Sequence, residues 1–305
     1  EATTAYQIPA QVAFTQLEPS GTGAGLRVAI KPIQSQPVLA YLPQFRYLPL
    51  HGEDHNPARA WNVGWRAAQG SLIAFTEPDC IPDSNWLRRG VETLQAGYDA
   101  VTGQIDIPLS DTPTDYEINA RTLMPSEYMI ANCFFRKSTV ETVGGFDENF
   151  STGWRADTDL YFRLLDCNAY LRTIPDARVL RPVQRAKWWI SLKQQRKNYH
   201  DALLYKKYPR LYKDKIGHAS PIHAYLSILS LITVLVALIT GASGWALAGL
   251  AVWLFVTLWI AGDRLKSTTH RPGHMLEILV TSALIPFFAI YWRIRGSLAF
   301  KVWHL

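Results

Sequence analysis

Between residues 225 and 240, and again between 245 and 260, the chain carries no charged side chain. With their flanks, the two stretches approach the roughly twenty apolar residues that a helix needs to cross a bilayer. Only Gly241-Ala242-Ser243-Gly244 separates them, a link that predicts an antiparallel helix pair. A third apolar stretch, 279–292, follows Glu277 and contains Pro286. It is expected to lie in the interface or to re-enter, because Arg293, Arg295 and Lys301 behind it would sit on the wrong side of a single span. Up to about Gly217 the chain reads as soluble, so the 48% apolar content averages a soluble part with a membrane region.

The net charge of +6 could point to nucleic acid, yet the positives concentrate just ahead of the apolar tail. Between 181 and 218, Lys187, Lys193, Arg196, Lys197, Lys206, Lys207, Arg210, Lys213 and Lys215 alternate with aromatics. Attraction to anionic lipid head groups accounts for them, and nucleic acid is not expected as a partner. Trp188, Trp189 and Leu192 on one side of the lysines predict a helix lying in the membrane interface; the plainer reading is a solvated helix packed on the domain. Basic residues before the first stretch, and Arg264, Lys266 and Arg271 after the second, place the soluble part in the cytoplasm. Cys80, Cys133 and Cys167 lack metal-type spacing, and their odd number fits a reduced compartment. The first residues show no basic segment followed by an apolar core, so no cleaved export signal is expected there.

Within the soluble part, 72–76 is a continuous apolar run entered from Gly70 and predicts a strand buried on both faces. It stops at Glu77-Pro78-Asp79, where the proline removes a ladder donor and turns the chain out of the sheet. Carboxylates at the carboxyl end of a buried strand stand where open α/β sheets bind ligands. A divalent cation carrying a diphosphate is the natural guest, since Mg²⁺ takes a couple of carboxylates and completes its shell with water and phosphate. An acidic-x-acidic tripeptide alone is weak; the buried strand before it and the capping residues Asp83-Ser84-Asn85 after it give it a setting.

Helices are predicted over 57–70 and 86–96, strands over 12–14, 26–30, 45–48 and 100–105, and a strand running into a helix cap over 132–138. The polar connection 106–125 is either a functional loop or holds a helix at 116–122. Gly144-Gly145 loosens the backbone ahead of Phe146-Asp147-Glu148. On the helix predicted over 154–165, Asp159 and Arg163 stand one turn apart and can simply pair. Asp157, near the positive end of that helix, has an equally local explanation.

Taken in order, Arg59-x-x-Asn62-x-Gly64, Ala68-x-Gly70, Ile73-Ala74-Phe75-Thr76 with Glu77-Pro78-Asp79-Cys80, Asn132 ahead of Phe135-Arg136, Gly144-Gly145-Phe146-Asp147-Glu148 and Asp157-Thr158-Asp159-Leu160 resemble the family 2 inverting glycosyltransferases with the GT-A fold, of the bacterial type with C-terminal membrane helices. The resemblance covers roughly residues 41–182. It implies an α/β fold, a Rossmann-like mixed sheet flanked by helices, followed by an α-helical membrane region. Glu77-Pro78-Asp79 takes the metal-binding acidic position, with Asp79 the main ligand and Glu77 beside it. Arg59, Asn62, Glu77 and Asp79 would hold a nucleotide-sugar donor with Mg²⁺ or Mn²⁺, and Asp157 would be the catalytic base. Three departures are visible. The strand and Pro-Thr-Tyr-Asn-like turn that open the family are not seen, residues 27–32 lack the acids that hold the nucleotide in the family, and Arg181 stands where the family often has a metal-binding histidine.

The expected division is a catalytic domain over 1–182, a basic interfacial segment over 183–220 and a membrane region over 221–305. The expected activity is sugar transfer at the cytoplasmic face of an inner or plasma membrane, onto a lipid-linked or other saccharide acceptor, in cell-surface polysaccharide or glycolipid synthesis. The rival is a membrane scaffold of the same fold with a degenerate donor site.

Overall fold

The structure, a computed structural model, describes residues 10–14 (backbone only), 48, 56–123, 129–184, 186–217 and 221–304. The strand expected at 26–30, and that at 45–48 apart from Leu48, lie outside the described residues. The chain divides into two compact units: Glu1–Pro108 with Met124–Pro182, and Leu109–Leu123 with Val183–Leu305.

The first unit is built on a six-stranded mixed sheet in the order β1-β2-β5-β4-β6-β3. Its strands are β1 (Ala10–Phe14), β2 (Leu72–Thr76), β3 (Ile81–Pro82), β4 (Ala100–Asp106), β5 (Asn132–Arg136) and β6 (Leu171–Leu180). β2 is flanked on both sides, by β1 in parallel register (Ala13↔Phe75) and by β5 antiparallel (Phe75↔Cys133). Ile73, Ala74, Phe75 and Thr76 are all buried, so the continuous apolar run does mark a strand covered on both faces. Phe75 meets Phe135 and Phe146 edge-on at centroid distances of 5.8 and 5.5 Å, an arrangement that aromatic quadrupoles favour.

Four helices belong to this unit: α1 (Pro57–Ala67), α2 (Trp86–Gln95), α4 (Lys137–Thr142) and α5 (Ala156–Asp166); α3 (Asp115–Leu123) belongs to the second. Helix α1 begins at Pro57 as expected, with proline in the first turn; the structure adds a cap, the Asn56 side chain accepting the Ala58 and Arg59 N–H groups at 3.1 and 3.4 Å. It ends at Ala67, short of the glycine expected to close it. The cap of α2 also differs in detail: Asn85 makes no capping bond, and Asp83 accepts the Asn85 N–H at 2.9 Å instead.

The junction of β4 and β6 shifts register between Gly103 and Gln104. A Cβ at Gly103 would stand 2.1 Å from the Ala177 carbonyl oxygen, so only glycine lets the strands approach there. Across this bulge, the buried Asn132 amide donates to Gln104 and Ala177 carbonyls at 2.9 Å each and accepts the Trp86 indole N–H at 2.8 Å. One side chain thus ties β4, β6 and α2 to the start of β5.

In the second unit the basic stretch forms three short helices, α6 (Ile190–Gln194), α7 (Asn198–Lys207) and α8 (Pro209–Lys215), with a 3-10 turn at Gln195–Lys197. The single interfacial helix expected there is therefore corrected. Leu192, His200, Ala202, Leu204 and Tyr212 are buried, and burial of these groups organises the segment more than its lysines do. It does not stand apart as 183–220 but packs in one unit with the apolar helices that follow.

Those are α9 (Ile222–Thr240), α10 (Ser243–Leu265) and α11 (Pro272–Phe300), each long and apolar enough to cross a membrane. Helix α9 closes on Gly241 at φ 72°, and Gly249 of α10 lets the Ser230 carbonyl of α9 come close. Leu235, Leu238, Ile239, Leu247 and Phe255 all remain exposed, as on helices solvated by lipid. The third stretch is a single 29-residue helix with Pro286 inside it, so the interruption expected of a re-entrant segment is absent from it. Proline is tolerated in apolar helices where neighbouring groups re-satisfy the backbone.

Candidate active site

Strands β1, β2, β4 and β6 run in one direction, so their carboxyl ends share one edge of the sheet. Leaving β2, the chain turns through Glu77-Pro78-Asp79-Cys80, with the Cys80 N–H bonded to the Glu77 carbonyl at 3.0 Å. It then pairs as β3 with the last residues of β6, Ile81↔Leu180 and Pro82↔Val179. That pairing carries Arg181 to the acidic turn. Its backbone N–H is held by the Asp106 carbonyl at 2.9 Å. Its guanidinium meets Glu77 (Nη2 to Oε2, 2.6 Å) and Asp79 (Nε to Oδ2, 3.1 Å).

Asp157 lies in the first turn of α5, after Arg155, whose φ of 70° places it in the left-handed region. Its carboxylate accepts the Thr158 N–H at 2.8 Å. Burial holds Asp157 above the usual carboxylate range, against the opposing pull of that bond and of the Arg155 charge. Burial likewise pushes Glu77 up to about 7; Arg181 opposes the rise, while the charges of Asp79 and Asp157 add to it. Asp157 is also felt at Cys133, in the strand paired with β2. The Asp157 charge thus bears on both Glu77 and Cys133. Glu77, Asp79, Asp157 and Arg181 all keep partial solvent access.

Asp159 follows its local explanation: it is fully buried and paired with Arg163 at 2.7 Å, and Arg163 also donates to the Val143 carbonyl. Arg59 is exposed on α1. Asn62 is buried, and its amide makes four bonds: Nδ2 donates to the Phe146 carbonyl (2.8 Å) and Glu148 Oε1 (2.9 Å), while Oδ1 accepts from the Phe146 N–H (2.8 Å) and Trp65 Nε1 (2.9 Å). Two donors and two lone pairs are an asparagine's whole capacity. Asn62 holds the Gly145–Glu148 loop in place and has no bond left for a donor. Gly145, at φ 76°, lies so close to it that a Cβ would stand 2.6 Å from Asn62 Oδ1.

Glu77, Asp79 and Cys80 can bring one ligand atom each within 4.8 Å of one another, the natural place for the expected cation. As arranged, they do not fit one. Both carboxylates are engaged by Arg181, and the third donor is a buried thiol pushed up to about 12 by burial, unsuited to a hard oxygen-seeking ion. In the sequence, Arg181 shows only as the residue standing where the family often has a histidine; the β3–β6 pairing that carries it to the acidic turn is tertiary.

A mixed sheet flanked by helices, with an acidic turn at the carboxyl end of β2, is the arrangement expected of a GT-A domain. Residues 28–146 match the model for Glycosyl transferase family 2. A curated relative, Glycosyltransferase AglE of Haloferax volcanii, is 30% identical over 114 residues, 34% of this chain. The chain spans 38% of that relative's length. Among solved structures, the mannosyltransferase PcManGT from Pyrobaculum calidifontis in complex with GDP-Man and Mn²⁺ is 15% identical, covering 79% of this chain and 66% of its own, with a TM-score of 0.42. GalNAc-T7 with UDP, GalNAc and Mn²⁺ is 13% identical, covering 43% and 31%, with a TM-score of 0.34.

Proposed function

We propose that this chain is a membrane-anchored inverting glycosyltransferase that moves a sugar from a nucleotide donor to a lipid-linked or other saccharide acceptor at the cytoplasmic face of an inner or plasma membrane. Cell-surface polysaccharide or glycolipid synthesis is the setting that suits three helices of spanning length. What supports the reading is the match of residues 28–146 to the Glycosyl transferase family 2 model, together with an acidic turn at the carboxyl end of β2 and a carboxylate in the first turn of α5. In the reaction, Asp157 takes the proton of the acceptor hydroxyl, the freed oxygen bonds to the anomeric carbon, and the bond from that carbon to the diphosphate breaks. The electron pair leaves with the nucleoside diphosphate. Raised proton affinity suits a group that must accept a proton near neutral pH. Of the residues implied in donor binding, Arg59 is assigned to the donor directly and Asn62 to the loop. A divalent cation is left out of every step, because its two carboxylates are already engaged.

The full chain in detergent tests this, incubated with UDP- and GDP-sugars and a lipid extract as acceptor. One donor should release its nucleoside diphosphate in step with labelled lipid product, and Asp157→Asn should abolish both. Absence of thermal stabilisation by UDP or GDP, with or without metal, would leave the non-catalytic scaffold as the better account.

A further inference from the structure

We propose that Arg181 is this chain's own built-in cation: it neutralises the Glu77–Asp79 turn and meets the donor diphosphate, so that nucleotide binding needs no divalent metal. The inference rests on reading the site as a nucleotide-sugar donor site, and it departs from the cofactor that the family resemblance implies.

The first support is geometric. One guanidinium reaches two carboxylates, Nη2 at 2.6 Å from Glu77 and Nε at 3.1 Å from Asp79, although 102 positions separate Arg181 from Asp79. A divalent ion using those oxygens must approach to roughly 2.0–2.2 Å. In a partly buried site, that ion and the guanidinium would be like charges at close range, and they exclude each other.

The second support is how the position is built. Arg181 is not a long surface side chain that happened to fold over. β3 pairs with the end of β6 directly before it, and its own N–H is anchored on Asp106. The side chain is 22% exposed, between carboxylates at 23% and 28%, so the ion pair lies at the solvent edge where a diphosphate can reach it. Cys80 adds no ligand suited to a hard ion: its buried thiol lies 3.8 Å from Asp79 Oδ1 and acts as the donor.

The third support is chemical. A planar guanidinium binds phosphate oxygens through paired N–H donors and keeps its charge at any working pH. When the bond from the anomeric carbon to the diphosphate breaks, the negative charge arriving on the leaving group faces Arg181, as Asp157 receives the acceptor's proton.

The test uses the full chain in detergent with UDP and GDP as probes. In EDTA one of the two should stabilise the wild-type protein as well as it does with Mn²⁺. Mn²⁺ added with that nucleotide should keep the EPR signal it shows with the nucleotide alone. Arg181→Ala should weaken nucleotide binding in EDTA by roughly tenfold or more, with Arg181→Lys retaining part of it. Arg181→His should begin to take up Mn²⁺. Since Arg181→Ala exposes two carboxylates to each other, Arg181→Ala combined with Glu77→Gln serves if the single variant does not fold. The proposal is overturned if wild-type binding requires Mn²⁺, in which case Arg181 is a plug that the metal displaces, or if Arg181→Ala leaves nucleotide binding in EDTA intact or tightens it. No binding of either nucleotide under any condition, in wild type and variants alike, would sink the donor-site reading itself.

Discussion

Asn62 and Phe146, 84 positions apart, bond to each other twice: the asparagine amide donates to the phenylalanine carbonyl and accepts its N–H, both at 2.8 Å. This pairs one side chain with one residue's backbone as a neighbouring strand would. It anchors the loop that leads from α4 toward α5 and Asp157. Asn62→Ala should therefore cost roughly 2–4 kcal/mol of stability by leaving the Phe146 N–H and the Trp65 indole unpaired. Urea unfolding measures the loss. UDP or GDP affinity of the folded fraction should be unchanged; a selective loss of affinity at full stability would return Asn62 to the donor site.

Asp157→Asn separates catalysis from folding. As a base, Asp157 must be ionised, so transfer should rise with pH through an inflection above the ordinary aspartate value, and the variant should lose roughly 10²–10⁴-fold in rate. Because the folded-state value is raised, Asp157 favours folding below the unfolded value of about 4. That contribution disappears as pH rises through the folded value. The amide escapes this loss, so thermal melts at pH 7 should find Asp157→Asn at least as stable as wild type. A strongly destabilised variant would mean that the carboxylate serves the fold.

In the second unit, Arg264 engages Asp115 with two nitrogens, at 2.7 and 3.2 Å, and Thr281 and Ser282 with the third, at 2.9 and 3.0 Å. It links α3 and α11 to the end of α10 and is not the solvated flanking charge that the sequence suggests. A double-mutant cycle with Asp115→Ala and Arg264→Ala should give a coupling of roughly 1–3 kcal/mol in detergent unfolding. Additive single effects would contradict the pairing.

At the β4–β6 bulge, Gly103→Ala should destabilise the first unit by roughly 1–3 kcal/mol, since its Cβ would overlap the Ala177 carbonyl. Comparison of urea midpoints would reveal it. A neutral result would mean that the two strands can part without penalty.

Much of this protein can be read from residues close together in the chain. The buried strand at 72–76, its acidic proline turn, the helix that starts at Pro57, and the apolar helices all follow from propensity and periodicity, which act over a few neighbouring positions. The Asp159–Arg163 pair was legible for the same reason, a single helical turn. Tertiary structure decided the rest. Whether Glu77 and Asp79 face a metal or an arginine depends on β3 pairing with the end of β6, where Pro82 meets Val179, 97 positions on. Whether Asn62 touches a ligand depends on a loop that folds back onto α1. Arg264 changes from a flanking charge to a partly buried partner only because α3 packs with the apolar helices. Hydrogen bonds and ion pairs between distant segments depend on strand register and helix packing, and no short window of residues records either.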